Sequence, residues 1–328
     1  IYEKKEFHSR IAEILEKIDG ANRNETARHY ELAGNFSKCF SILNDEAENA
    51  KDMSAFSYQK KIYHHLLKLP LNEKNYADIK YNLAVVHYKL SEFQNCLGLA
   101  AELLQVGIID EKKNELQILK GSCLVELGKY LDGKEILNSL VLTIKDSVQK
   151  LKLLTEIANA EFELGNYNEV KKICKKIISN NNLPLESKGK CYNLMGLTEI
   201  FGRNNLDNAL FNFQKAVEVF SRKETEFRLP RLEFNIGNIF SNIEGKSDKA
   251  REHWDRAINL NKSIGNLETE GAININYGIY HFNSLNFEEA IEQYRRGFLI
   301  FKTIGAKFYE GLINSNLGEI YLQICEYQ

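Results

Sequence analysis

The sequence predicts an all-α solenoid, a stack of helical hairpins, and three observations predict it. The first is self-similarity. Residues 235–298 write one hairpin twice: Gly237 matches Gly278, Ala250 matches Ala290, Trp254 matches Tyr294 and Ala257 matches Gly297. The second is a register. A small residue recurs at Ala84, Gly121, Ala158, Gly196, Gly237, Gly278 and Gly318, at intervals of 37, 37, 38, 41, 41 and 40 residues. The third is the 3 prolines in 328 residues, which leave long helices unbroken. A repeat at a steady period overrides the roughly two domains that length alone suggests.

The elements follow in chain order. Residues 5–18 read as an amphipathic helix with Phe7, Ile11, Ile14, Leu15 and Ile18 on one face. Gly20 fits its stop, and Asn24 fits the cap of the next helix. The run E-T-A-R-H-Y-E-L-A-G-N-F-S-K-C-F is an early, degenerate hairpin, turning at Gly34-Asn35-Phe36 with Cys39 in the small position. Residues 53–69 make one more helix, ended at Leu69-Pro70-Leu71 because proline disfavours a helical residue before it. From there the hairpins are regular. Their turns read L-S-E-F at Leu90, L-G-K-Y at Leu127, L-G-N-Y at Leu164 and S-L-N-F at Ser284. Second helices open near Cys96, Gly133, Val170, Ala209, Ala250 and Ala290. The small residues let paired helices approach, and a large residue from the partner fills each notch. One hairpin cannot bury its apolar face alone, so the hairpins must stack. The turns near Gly202-Arg203-Asn204-Asn205 and Glu244-Gly245-Lys246-Ser247 are longer than the rest.

This pattern resembles the tetratricopeptide repeat (TPR), loosely over residues 22–50 and well over 76–328. Its best copies are the 235–298 stretch and C-Y-N-L-M-G…L-D-N-A-L-F-N-F-Q-K-A-V from Cys191. Periods near 40 exceed the family's 34 and resemble the long-helix variant of regulatory proteins. The resemblance implies a right-handed superhelix whose first helices line a concave face. It divides the chain into N-terminal helices at 1–70 and an array at 71–328, about six full repeats and a truncated seventh. The first 70 residues, with F-H-S-R-I-A-E-I-L-E and A-F-S-Y-Q-K-K-I-Y-H-H-L-L-K-L, also resemble the segment after the ATPase module of bacterial STAND-type signalling proteins. That likeness implies an ATPase upstream, but no G-x-x-x-x-G-K-[ST] loop occurs in this sequence. A start without Met and an end inside a helix point to a piece of a longer protein.

Composition narrows the function. A net charge of −2 gives no pull toward nucleic acid or anionic membrane. No apolar run approaches the roughly 18–20 residues that span a bilayer. The six cysteines, Cys39, Cys96, Cys123, Cys174, Cys191 and Cys325, lie far apart and read as core thiols of a reducing cytoplasm. No catalytic set emerges. His64 and His65 point about 100° apart on a helix and cannot chelate together. Glu288 and Glu289 complement the start of a helix. The lysine runs at 112–113 and 171–176 are interspersed with acids and read as solvated faces. A non-enzyme without cofactor or metal is the expectation.

Function is expected on the concave face. Positions three before, one after and four after each small residue point inward. They include Tyr81, Val85, Tyr88, Asn159, Phe162, Asn193, Leu197, Phe234, Asn238, Ile275, Ile279 and Phe282. Such an apolar face suits a protein segment, unless the superhelix packs shut over it. Asn82, Asn235, Asn276 and Asn316 form a ladder two places before the small residue, a position that in the TPR family can hold a peptide backbone. The family's chaperone clamp also needs a lysine where Phe234 stands; Arg231 and Asn238 remain for polar readout. The expected ligand is a protein or peptide, or the protein's own other domains, in a non-catalytic sensor region of a signalling protein. A free-standing scaffold and a small-molecule-sensing domain are the alternatives.

Overall fold

In the computed structural model, the described residues are 2–18, 22–107, 110–180, 184–203, 205–222, 225–243 and 245–326. Among them the chain forms seventeen α-helices, two short 3-10 helices and no strand. The N-terminal helices are α1 (Tyr2–Leu15), α2 (Arg23–Ala33), α3 (Phe36–Asp52) and α4 (Phe56–Leu66). The first helices of the regular hairpins are α5 (Glu73–Lys89), α7 (Lys113–Glu126), α9 (Ser147–Glu163), α11 (Leu185–Arg203), α13 (Leu229–Ser241), α15 (Leu267–Asn283) and α17 (Lys307–Glu326). Their partners are α6 (Phe93–Val106), α8 (Tyr130–Ser139), α10 (Tyr167–Ile178), α12 (Leu206–Phe220), α14 (Ser247–Ile264) and α16 (Phe287–Ile304). Asn35, Asn72, Asp146, Asn205 and Asn266 cap their helices through the side-chain oxygen, which satisfies an orphan N–H of the first turn. The cap of α2 is Asn22 rather than Asn24: its Oδ1 accepts from the amides of Asn24 and Glu25. Gly20 lies outside the described residues, as do Asn204 and Glu244 of the two long turns.

The small residues do what the register predicts. A β-carbon on Gly237 would lie 2.5 Å from the Trp254 ring, and one on Gly196 would lie 2.9 Å from the ring of Phe213. These notches bring paired helices together and bury Trp254, Phe213 and Tyr294, which are among the largest side chains of the core. Cys39, Cys96, Cys123, Cys174 and Cys191 are buried and unbridged, while Cys325 is exposed rather than in the core.

Every regular turn resolved this way needs a left-handed residue seven places after the small one. Gly128 and Gly165 supply it cheaply, but Ser91 and Leu285 adopt φ 60° there. An L-residue in this region costs about 1 kcal/mol, and Leu285 is largely exposed, so it recovers little by packing. Leu285→Gly is therefore expected to stabilise the protein by about 1 kcal/mol in urea titration.

The solenoid closes on itself. Phe56 at the start of α4 meets Phe227, before α13, edge to face at 5.3 Å. The Lys89 ammonium sits over both rings, 4.4 and 4.6 Å from their centroids. Ser57 Oγ donates to the Gly265 carbonyl, and Asn266 Nδ2 donates to the Lys89 carbonyl and to Ser91 Oγ. Phe227 and Ile264 thus join the hydrophobic core of the N-terminal helices. No helix among the described residues is long and apolar enough to cross a membrane.

Candidate functional site

Closure gathers the inner ends of the first helices around a partly open cavity of about 300 Å³. Its walls come from α5 (Tyr88, Lys89), α7 (Glu126), α9 (Glu156, Asn159, Phe162, Glu163), α11 (Lys190, Asn193, Leu197), the approach to α13 (Arg228), α13 itself (Arg231, Asn235) and α15 (Glu268). Six consecutive hairpins and the closing turn therefore each contribute.

Two ion networks hold these walls. In the first, Glu156 accepts from Tyr88 Oη at 3.2 Å, Ser122 Oγ at 3.1 Å and Lys190 Nζ at 2.7 Å. Lys190 also lies 3.7 Å from Glu186, which accepts from the Arg228 guanidinium at 2.5 Å. Burial pushes the Glu186 carboxyl up, but Arg228 and Lys190 outweigh it and hold it well below the usual range. Burial and the Glu156 carboxylate hold the Tyr88 phenol well above its ordinary value. Burial brings the Lys89 ammonium down to about 8.

The second network is short of cations. Arg231 Nη1 donates to Glu268 at 3.2 Å, and Asn159 Nδ2 donates to Glu126 at 3.1 Å. Glu163 stands nearby with no lysine or arginine of its own in contact among the described residues. Enclosure by protein, then the field of Glu268, pushes Glu126 up to about 7, with Glu156 and Glu163 adding to it and Arg231 opposing. The protein packed around Glu163 raises it as well, against Arg231 and a hydrogen bond with Tyr130, although its side chain still reaches solvent. The sign of the pH effect follows. Between the ordinary value of 4.5 and about 7, the folded state binds a proton at Glu126 that the unfolded state does not. Glu126 therefore costs stability in full above pH 7, and the cost fades as pH falls toward 4.5. Glu126→Gln is expected to raise stability at pH 8 by about 1 kcal/mol, allowing for screening by the solvent that reaches it. The gain should shrink on titration to pH 5, read from thermal melts.

Amides form a third set. Asn235 Nδ2 donates to Asn193 Oδ1 at 3.4 Å, a long bond that leaves both side chains free to take another partner. Asn193 and Asn235, with Asn159, sit on successive first helices facing the cavity.

Of the residues expected on the inner face, the structure gathers Tyr88, Phe162, Asn193, Leu197, Arg231 and Asn235 around the cavity. It places the others elsewhere. Phe234 and Ile275 are buried in the packing between hairpins. Asn238 Oδ1 accepts from Trp254 Nε1 at 3.0 Å and from Asn276 Nδ2 at 2.5 Å. Tyr81 is half-buried and donates to Glu115, with Lys112 over its ring. Val85 is half-buried, Ile279 is exposed, and Phe282 packs on Phe287 at 6.0 Å. The carboxylates and Lys190 and Arg228 were not anticipated. Their signal was present: Glu156 stands two places before Ala158 and Glu163 five after it, seven apart and so on one stripe of α9.

No protein-family model matches the sequence, and no curated protein does. Solved structures do. A Rap protein complexed with competence and sporulation factor superposes with a TM-score of 0.58 at 13% identity, covering 92% of this chain and 93% of that one. The fold is that of the TPR-like helical-repeat solenoids. The Rap conjugation gene regulator of plasmid pLS20, in complex with the Phr* peptide, gives 0.55 at 10% identity over 87% of this chain and 74% of its own. The apo form of RapI gives 0.51 at 14% identity over 81% and 99%. At these identities the likeness is one of fold.

Proposed function

We propose that this chain is a non-catalytic sensor module that binds a short, extended peptide in its partly open cavity. The carrying observation is the wall itself: side-chain amides on three successive first helices, inside a closed turn, flanked by a carboxylate group short of cations. An asparagine offers one acceptor and two donors, which matches the N–H and C=O of a peptide backbone. The wall as a whole balances four carboxylates with four cations, but at one end Glu126, Glu163 and Glu268 outnumber Arg231, which favours a peptide with a cationic group there. A cavity near 300 Å³ is at the lower end of the range for ligand sites. Two of the solenoids of similar fold hold a bound factor or peptide by their own descriptions, which supports the reading without transferring it.

A ligand that touches several hairpins at once favours whichever arrangement of the stack brings those contacts together. On this reading the module reports the peptide to a larger signalling protein, of which an upstream STAND-type ATPase and an output domain would be parts. A small-molecule ligand is the second reading, because the cavity is discrete rather than a long groove.

The test is affinity selection from a library of five- to seven-residue peptides. The parent should enrich peptides carrying lysine or arginine. Each lost amide contact is worth about 1 kcal/mol, so Asn193→Ala/Asn235→Ala should weaken the enriched peptides at least about tenfold. Leu197→Trp, which fills the cavity, should abolish binding in a protein that melts like the parent. No enrichment, or equal binding to the filled variant, would defeat the proposal. Retention of a small metabolite in place of peptides would favour the second reading.

A further inference from the structure

Every cation of the cavity wall but one is answered by a carboxylate. Lys190 Nζ lies 2.7 Å from Glu156, the Arg228 guanidinium 2.5 Å from Glu186, and Arg231 Nη1 3.2 Å from Glu268. Lys89 is the exception. Among the described residues its Nζ has neither an ion-pair partner nor a hydrogen-bond acceptor, although the residue is half-buried and lines the cavity. The Phe56 and Phe227 rings beneath it steady the positive charge. They do not replace ordinary acceptors for the three N–H donors that an ammonium carries.

No carboxylate nearby is available to it. The charges that act on Lys89 are Glu186 and Arg228 on the wall, and Lys51 and Glu48 on α3. Glu186 is held by Arg228, and Glu48 by Lys51 at 2.6 Å, so each carboxylate is already bridged to another cation. Burial lowers the Lys89 ammonium in consequence, and a carboxylate in contact would oppose that shift. The ammonium is also fixed in place, because Asn266 Nδ2 donates to the Lys89 carbonyl and the two rings of the seam lie under the side chain. In the other network, Glu126 and Glu163 have no lysine or arginine in contact among the described residues. The wall therefore presents an unanswered cation in one network and unanswered carboxylates in the other. That is the complement of a molecule with an anionic group and a cationic group set apart.

We propose that Lys89 seats a carboxylate of the bound peptide at the seam, and that this contact sets the direction in which the peptide lies. The inference rests on the reading of the cavity as a peptide site and adds the anionic group that the peptide must carry. A carboxylate accepts charge-assisted hydrogen bonds from an ammonium, which are stronger than the amide contacts that Asn193 and Asn235 can offer. The group is the free C-terminus or an acidic side chain, and the two are separated by experiment.

The probes are four pools of synthetic five-residue peptides, each peptide with one lysine, ending in a free acid or an amide, and with or without one aspartate. Binding to the whole chain is read by equilibrium dialysis and mass spectrometry. Peptides that carry a carboxylate should bind at least about tenfold tighter than those that carry none. An advantage of the free acids identifies the C-terminus as the group, and an advantage of the aspartate peptides identifies a side chain. Lys89→Met, which keeps a hydrocarbon stem on the two rings, should remove the advantage in a protein that melts close to the parent. Lys89→Arg, which keeps the charge, should retain most of it. Equal binding of all four pools to the parent, or an advantage that survives Lys89→Met, overturns the inference and leaves the peptide site standing. Binding of no pool overturns both.

Discussion

Phe56→Ala should destabilise the protein by about 3–5 kcal/mol and open the solenoid. Phe56 is 1% exposed, and its removal leaves a void where α4, the approach to α13 and the end of α14 converge. The Phe227 ring loses its edge-to-face partner, and the Lys89 ammonium loses one of the two rings beneath it. The matched control is Phe213→Ala. Phe213 is just as buried but packs within a single hairpin, in the notch of Gly196. Both variants should lose similar stability in urea. Only Phe56→Ala should raise the radius of gyration in X-ray scattering, because repeats contact mainly their neighbours and the seam is the contact that spans the turn. An unchanged radius in Phe56→Ala would mean that other contacts hold the turn closed.

Trp254→Ala is expected to cost about as much, 3–5 kcal/mol, by a different route. The indole fills the notch at Gly237, meets Tyr277 edge to face at 5.4 Å and donates to Asn238. Its loss uncouples α13 from α14 and frees the Asn238 amide, which then holds only Asn276. Trp254→Phe should cost much less, since a ring still occupies the notch. Because Trp254 is the one tryptophan, unfolding has to be followed by circular dichroism. Equal losses for alanine and phenylalanine would show that the indole hydrogen bond, rather than notch filling, carries the contact.

The hairpins were legible because packing imposes a local rule. A small residue opposite a large one, at a period near 40, is visible in sequence wherever two helices must approach. The turns were legible for the same reason, down to L-G-K-Y and L-G-N-Y. The inner face was less so. Three positions around each small residue were expected to face inward, and Phe162, Asn193 and Leu197 do. In the later hairpins the same arithmetic lands on Phe234 and Ile275, which pack between hairpins instead. Rotation of each first helix depends on how its neighbours stack, and a register within one helix does not contain that. Closure was harder still. The seam joins residues 208 apart, Ser57 and Gly265, and no periodic signal links them. Without the seam the charged stripe of Glu156 and Glu163 looks like a solvated helix face. With it, the same residues line a cavity.

Hydrogen–deuterium exchange on the whole chain, with and without the strongest peptide from the library, tests the central claim most directly. The account predicts slowed exchange in the inward turns of α9, α11 and α13, around Asn159, Asn193 and Asn235, and at the seam beside Lys89 and Asn266. The outward helices α10, α12 and α14 should exchange as before. Protection confined to those outward helices, with the cavity walls unaffected, would place the ligand on the wrong side of the solenoid and contradict the account.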